Sequence, residues 1–146
     1  MKDYLLLLLL ILVPFETSQA SYRSNSVYDA LQAAAETNHV PLRLLTAVCM
    51  VESRLRPHAI NPHDKGSPSY GLCQLKLATA QSVGFIGRHQ KLYNPFINAY
   101  YAAKYLRLKY DKYGHNWVKA VSAYNGAKVI SANADYINRV FLNVLQ

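Results

Sequence analysis

Acidic residues are scarce in this chain: 8 Asp and Glu stand against 16 Lys and Arg, for a formal net charge of +8 over 146 residues. With so few carboxylates, each can be weighed singly as a candidate for acid–base chemistry. There are only two cysteines. That excludes a disulfide-dense scaffold. No His/Cys cluster has ligand spacing, so there is no ground for a zinc site. Basic residues form no run of five or more and no nucleic-acid motif is present, so nucleic acid is not an expected partner. Beyond residue 13 no long apolar run occurs, and no stable membrane insertion is expected of the remainder.

The one long apolar run lies at the start. Lys2 precedes an unbroken stretch from Leu5 to Val13, followed by Pro14 and the small-residue segment Ser18-Gln19-Ala20. The stretch is too short to span a bilayer. It reads as a secretory signal peptide over residues 1–20, cut after Ala20. Asp3 and Glu16 are atypical of such segments, and an uncleaved signal anchor is the alternative. Residues 21–146 suffice for one domain with a real core and not for two. Loss of Lys2, Asp3 and Glu16 raises the net charge from +8 to +9. An exported protein of that charge, periplasmic or secreted, meets anionic polymers such as a cell wall. An even cysteine count in an exported chain suggests a Cys49–Cys73 disulfide, with two buried thiols as the alternative.

The remainder reads as mainly helical. Ser24, Asn25 or Ser26 can cap a helix through Ala35. Pro41 fits the first position of a helix ending near Ser53. Pro57, Pro62, Gly66 and Pro68 mark a long loop over residues 56–69. Residues 70–75 are short and extended, with a small partner strand in the loop at most. Further helices are expected from Leu77 to Val83, from Asn94-Pro95 to Gly114, from Asn116 to Tyr124, and from a cap at Ser131 or Asn133 to Leu145. The fold class is therefore mainly α, with about six helices, one long loop and at most a small β element.

Glu52 is the odd residue in this layout. Leu45, Val48, Cys49 and Glu52 fall at i, i+3, i+4 and i+7 of one helix. The carboxylate thus lies on the face that turns to the core. Desolvation there raises its pKa, and the partial negative charge at a helix C-terminus acts in the same direction. A carboxyl that keeps its proton can serve as a general acid. The plainer alternative is an ion pair with a neighbour such as Arg54. With residues 1–20 removed, five other carboxylates remain, at Asp29, Glu36, Asp64, Asp111 and Asp135. Asp64 alone lies in a loop and could act as a second group.

Three ordered segments accompany Glu52: Glu52-Ser53-Arg54, Tyr70-Gly71-Leu72-Cys73-Gln74-Leu75 and Ala123-Tyr124-Asn125-Gly126. With Asn94-Pro95-Phe96-Ile97-Asn98, Tyr105-Leu106 and Gly114-x-x-Trp117, they cover nearly all of residues 27–140. Together they resemble the soluble lytic transglycosylase family of lysozyme-like enzymes. The resemblance implies an α+β lysozyme-like fold and a cofactor-free enzyme, most simply a monomer, acting on peptidoglycan glycan strands. It cleaves the bond between N-acetylmuramic acid and N-acetylglucosamine and leaves a 1,6-anhydro product. Glu52 would be the single catalytic acid and base. Ser53, Gly71, Gln74, Tyr124, Asn125 and Tyr136 would bind substrate or flank the carboxylate. Taken one by one these residues have plainer roles: a helix end for Ser53, a turn for Gly71, a C-cap for Asn125, core packing for Tyr136. Cys73 stands where the family carries Met, and Cys49 faces it from the helix. The paired replacement implies a disulfide between helix and site strand. No metal is expected, since residues 61–66 lack the full ligand series of a calcium loop. The small domain suits local wall opening for a secretion or conjugation apparatus. The rival readings are a hydrolytic muramidase on the same fold, such as a goose-type lysozyme or phage endolysin, and a non-catalytic cationic glycan-binding or membrane-active protein.

Overall fold

A computed structural model describes residues 15–126 and 133–146. The apolar run of the expected signal peptide and the expected cap Ser131 lie outside the described residues. None of the described helices is long and apolar enough to cross a membrane.

Six α-helices are present among the described residues: α1 (Phe15–Asn38), α2 (Leu42–Ser53), α3 (Leu77–Ser82), α4 (Pro95–Lys112), α5 (Trp117–Tyr124) and α6 (Ala134–Val144). A small antiparallel sheet lies between α2 and α3, in the order β1 (Ile60–Asn61), β2 (Ser69–Tyr70), β3 (Leu75–Lys76). Its register pairs Ile60 with Tyr70, and Tyr70 with Leu75. Helix α1 packs mainly on α4, α2 on α6, and α4 on α5. Leu31, Leu45, Leu72, Leu92, Leu106 and Val140 are fully buried where these elements meet.

Local chemistry explains most of the boundaries. The Asn94 side chain accepts from the amides of Phe96 and Ile97, and Pro95 opens the helix, as an N-cap with a following proline requires. Asn116 caps α5 through the Lys119 amide. Arg54 and Leu55 both take left-handed backbone at φ 56° and turn the chain sharply out of α2.

Two expectations are corrected, and one further element appears. Helix α1 begins at Phe15 and not at Ser24–Ser26, because serine and asparagine inside a helix cost less than about 0.7 kcal/mol each and do not stop one. It runs on to Asn38, where His39 (φ 53°) takes the left-handed position usually held by glycine and the Val40 amide bonds the Ala35 carbonyl at 2.9 Å. Residues 70–75 are not one extended segment but a hairpin turn, with left-handed backbone at Gly71 and Gln74. His89–Tyr93 forms a 3-10 helix that carried no periodic signal.

Asn98 holds the hairpin in place. It is wholly buried on α4. Its Oδ1 accepts from the Cys73 amide at 2.8 Å, and its Nδ2 donates to the carbonyls of Tyr70 and Leu92, each at 2.8 Å. Gly71 passes so close that a Cβ there would lie 2.2 Å from the Leu92 oxygen and 2.5 Å from Asn98 Nδ2. Asn98→Ala leaves the buried Cys73 amide and Leu92 carbonyl without this partner, and the part-buried Tyr70 carbonyl with them. The expected loss is about 3 kcal/mol in urea unfolding, since an orphaned buried polar group costs about 1–3 kcal/mol; a loss under about 1 kcal/mol contradicts this role.

Candidate active site

Helix α2 carries Glu52 to the floor of a cleft of about 460 Å³, within the range of roughly 300–1,000 Å³ typical of ligand sites. Leu45, Val48 and Cys49, on the same helical face, are fully buried. The carboxylate is half-buried at the edge of that core. Its hydrogen-bond partner is the Tyr136 hydroxyl of α6, which donates to Oε1 at 2.6 Å. Among the described residues no ion pair reaches Glu52, from Arg54 or any other cation. The expected alternative of an Arg54 pair is therefore not realised: Arg54 sits in the left-handed turn that leaves the helix.

Desolvation by burial pushes the Glu52 pKa up from 4.5 to about 7, and the negative charge of Asp64 adds to the rise. The Tyr136 hydrogen bond and the positive charges of Lys65 and Arg139 pull the other way. Burial wins because a single neutral donor and two unpaired cations replace less solvation than was lost. Burial, with the charge of Glu52 added, holds the phenols of Tyr124 and Tyr136 well above their usual range. Both therefore remain hydrogen-bond donors at neutral pH.

The other segments named by the sequence divide into two groups. Gln74, Tyr124, Asn125 and Tyr136 line the cleft with Glu52. Gln74 is fixed at both ends: Nε2 donates to the carbonyls of Gly71 (2.9 Å) and Ala59 (3.2 Å), and Oε1 accepts from Ser69 Oγ (2.9 Å). The Tyr124 hydroxyl donates to the Cys73 carbonyl at 2.8 Å. The oxygens of Asn125 receive the Lys65 ammonium. Ser53 and Gly71 are buried outside the cleft lining. Ser53 Oγ donates to the Leu72 carbonyl at 2.5 Å and accepts from the Arg56 amide at 2.9 Å. Gly71 makes its close approach to Leu92 and Asn98, not to the open cleft. Both shape the wall from behind.

Cys49 and Cys73 form a disulfide. It ties α2 to the hairpin turn one helical turn before Glu52. Tyr105, Lys65, Lys76 and Arg139 also line the cleft, though no sequence signal singles them out as site residues. The spacing of Tyr105 matched that of core tyrosines on α4, and it packs edge-on against Tyr124 at 5.7 Å. Asp64 also lines the cleft, but Lys76 holds it, with Nζ 2.6 Å from its carbonyl and 3.9 Å from Oδ2. No cluster of three or more His, Cys, Asp or Glu able to hold a metal occurs among the described residues.

A largely helical domain with a three-stranded sheet beside a cleft, and one desolvated carboxyl at the cleft floor, is the arrangement of the lysozyme-like proteins. The model of the transglycosylase SLT domain matches residues 29–138, and the chain belongs to that family. Among solved structures it resembles the 70 kDa soluble lytic transglycosylase SLT70 from Escherichia coli, with a TM-score of 0.61 and 18% identity over 80% of this chain and 20% of that one. At that identity the likeness concerns the fold. Protein IpgF of Shigella flexneri and protein IpgF of Shigella sonnei are each 31% identical over 99 residues. The match covers 66% of this chain and 64% of each relative, so the chain spans just under two thirds of the relatives' length.

The raised pKa has a consequence for stability. Because the folded-state value (about 7) lies above the ordinary value of 4.5, ionisation of Glu52 weakens the fold. That cost is absent below pH 4.5, grows between pH 4.5 and 7, and is complete above. Glu52→Gln removes it. Relative to wild type, the variant should gain about 3 kcal/mol between pH 4 and pH 8. Chemical unfolding of both proteins across that range checks it; a constant difference contradicts the raised pKa.

Proposed function

We propose that this protein is a peptidoglycan lytic transglycosylase in which Glu52 is the only acid and base. The observation that carries the reading is one desolvated, proton-holding carboxyl in a cleft whose other carboxylate, Asp64, is held by Lys76. Glu52 gives its proton to the oxygen linking N-acetylmuramic acid to N-acetylglucosamine, and that C1–O bond breaks. The C6 hydroxyl of the same muramyl residue then forms the new bond to C1 and returns its proton to Glu52. One carboxyl is used twice and no water is consumed, whereas most glycosidases divide these roles between two carboxylates. Tyr136 occupies Oε1, which leaves Oε2 as the oxygen that exchanges the proton. Gln74, Tyr124, Tyr105 and Asn125 supply polar tips and aromatic edges along the strand path.

Hydrolysis by the same fold is the second reading. It needs a second group to position water, and Asp64 is the candidate. The Lys76 ammonium, 3.9 Å from Asp64 Oδ2, weighs against it.

The substrate implies export, with residues 1–20 as a signal peptide, residues 21–146 as the working domain, and action as a monomer in the periplasm or outside the cell. The finer role, local wall opening for a secretion or conjugation apparatus, rests on a family domain filling most of the chain; unimpaired secretion and conjugation after gene deletion argues against it. A non-catalytic glycan-binding role is the third reading, and the same experiment separates all three. Protein exported from the full chain, wild type and Glu52→Gln, is incubated with purified wall and the products are weighed. The expected products are 1,6-anhydromuramyl ends, formed roughly 10²–10⁴ times more slowly by the variant. Reducible ends support the hydrolase instead, and lysis unchanged in Glu52→Gln overturns the catalytic reading.

A further inference from the structure

The cleft is cationic beyond what its own groups neutralise. Arg56, Lys65, Lys76 and Arg139 line it, against Asp64 and Glu52. Lys76 is engaged with Asp64. Arg56 is tied back through Nε to the Ser53 carbonyl at 2.8 Å and is not among the charges that act on Glu52. Lys65 and Arg139 are the two cations that do. Neither has a carboxylate at ion-pair distance among the described residues. The Lys65 ammonium rests on the neutral oxygens of Asn125. The Arg139 guanidinium lies 5.9 Å from the centroid of the Tyr136 ring, the same tyrosine that holds Glu52. The two cations reach the cleft from different elements, Lys65 from the 3-10 turn Asp64–Gly66 and Arg139 from α6. Both act on Glu52 and favour its ionised form, which works against a proton donor. An anion seated with them removes that conflict.

We infer that Lys65 and Arg139 form a subsite for a carboxylate of the substrate, next to Glu52. The inference rests on the cleft being a site for peptidoglycan strands. Where the lactyl carboxyls of the muramyl sugars are amide-linked to peptide, the glycan itself has no charge for these residues to meet. Carboxylates come from two sources: the lactyl group of a muramyl residue freed of its peptide, and the free carboxyls of an attached peptide stem. Either one sets a negative charge against the two positive ones and offsets part of their field at Glu52. That strengthens the hold of Glu52 on its proton. The correct substrate therefore readies its own acid, and an uncharged glycan does not.

The test measures cleavage of purified glycan strands, with peptide stems and with stems removed, each before and after carbodiimide conversion of carboxyls to amides. Wild type should lose roughly fivefold in kcat/KM on amidation, the size of one screened charge pair. In K65Q and in R139Q the ratio of native to amidated strand should fall towards one, and K65R should restore it. A loss on stem-free strands assigns the lactyl carboxylate; a loss confined to stem-bearing strands assigns the stem. In wild type kcat should hold to a higher pH than kcat/KM, because kcat reports the complex; in the two variants the limbs should draw together. A wild type indifferent to amidation of both strands, or K65Q and R139Q that keep the wild-type ratio, overturns the subsite. E52Q, run alongside, separates the two levels: cleavage that survives in E52Q overturns the glycan-cleaving reading, whereas an inert E52Q with an indifferent wild type overturns the subsite alone.

Discussion

The peptide unit at Cys73 is gripped from three helices at once, and the cleft is built around that grip. From α2 come the Cys49 disulfide and the bond of Ser53 to the neighbouring Leu72 carbonyl. From α4, Asn98 takes the Cys73 amide. From α5, Tyr124 takes the Cys73 carbonyl. Each of the three hydrogen bonds supplies a backbone group with its partner. The result fixes the hairpin wall relative to α2, and hence relative to Glu52, one helical turn beyond Cys49. In the chain-entropy account the disulfide contributes about 3 kcal/mol by closing a loop with a sequence separation of 24 residues. Its larger effect is geometric, because it joins the element that carries the acid to the element that walls the cleft.

A rigid wall is what lets burial shift the pKa. If the hairpin could swing away, water would reach the carboxyl and the desolvation that raises its pKa would be lost. Against that burial stand one phenolic hydrogen bond from Tyr136 and the fields of Lys65 and Arg139. The balance leaves the group poised near neutrality, where a carboxyl can both give and regain a proton. Fold and chemistry meet in that balance. A site with stronger cationic pairing would hold an ionised Glu52, suited to a base but not to an acid.

Much of this was legible in the sequence where the signal was local. The spacing of Leu45, Val48, Cys49 and Glu52 put the carboxylate on the core face. Asn94-Pro95 and Asn116 marked helix starts that their side chains do cap. Matching against the family pattern suggested the paired cysteines, which form a disulfide. What was not legible depended on distant partners. Ser53 could be read as facing the carboxylate, yet its hydroxyl is committed to Leu72 across the fold. The glycine at 71 is required by Leu92 and Asn98, more than 20 residues away in sequence. Tyr105 could not be told from the core tyrosines of α4, because its place in the cleft depends on Tyr124. Lys65 and Arg139 were two basic residues among many until the fold brought both beside Glu52.

The central claim is that Glu52 keeps its proton near neutral pH. Carbon-13 NMR of protein labelled at the glutamate side-chain carboxyl reads this directly, with Glu52→Gln assigning the resonance. The account predicts a titration midpoint at about 7. A midpoint near the ordinary 4.5 would contradict it.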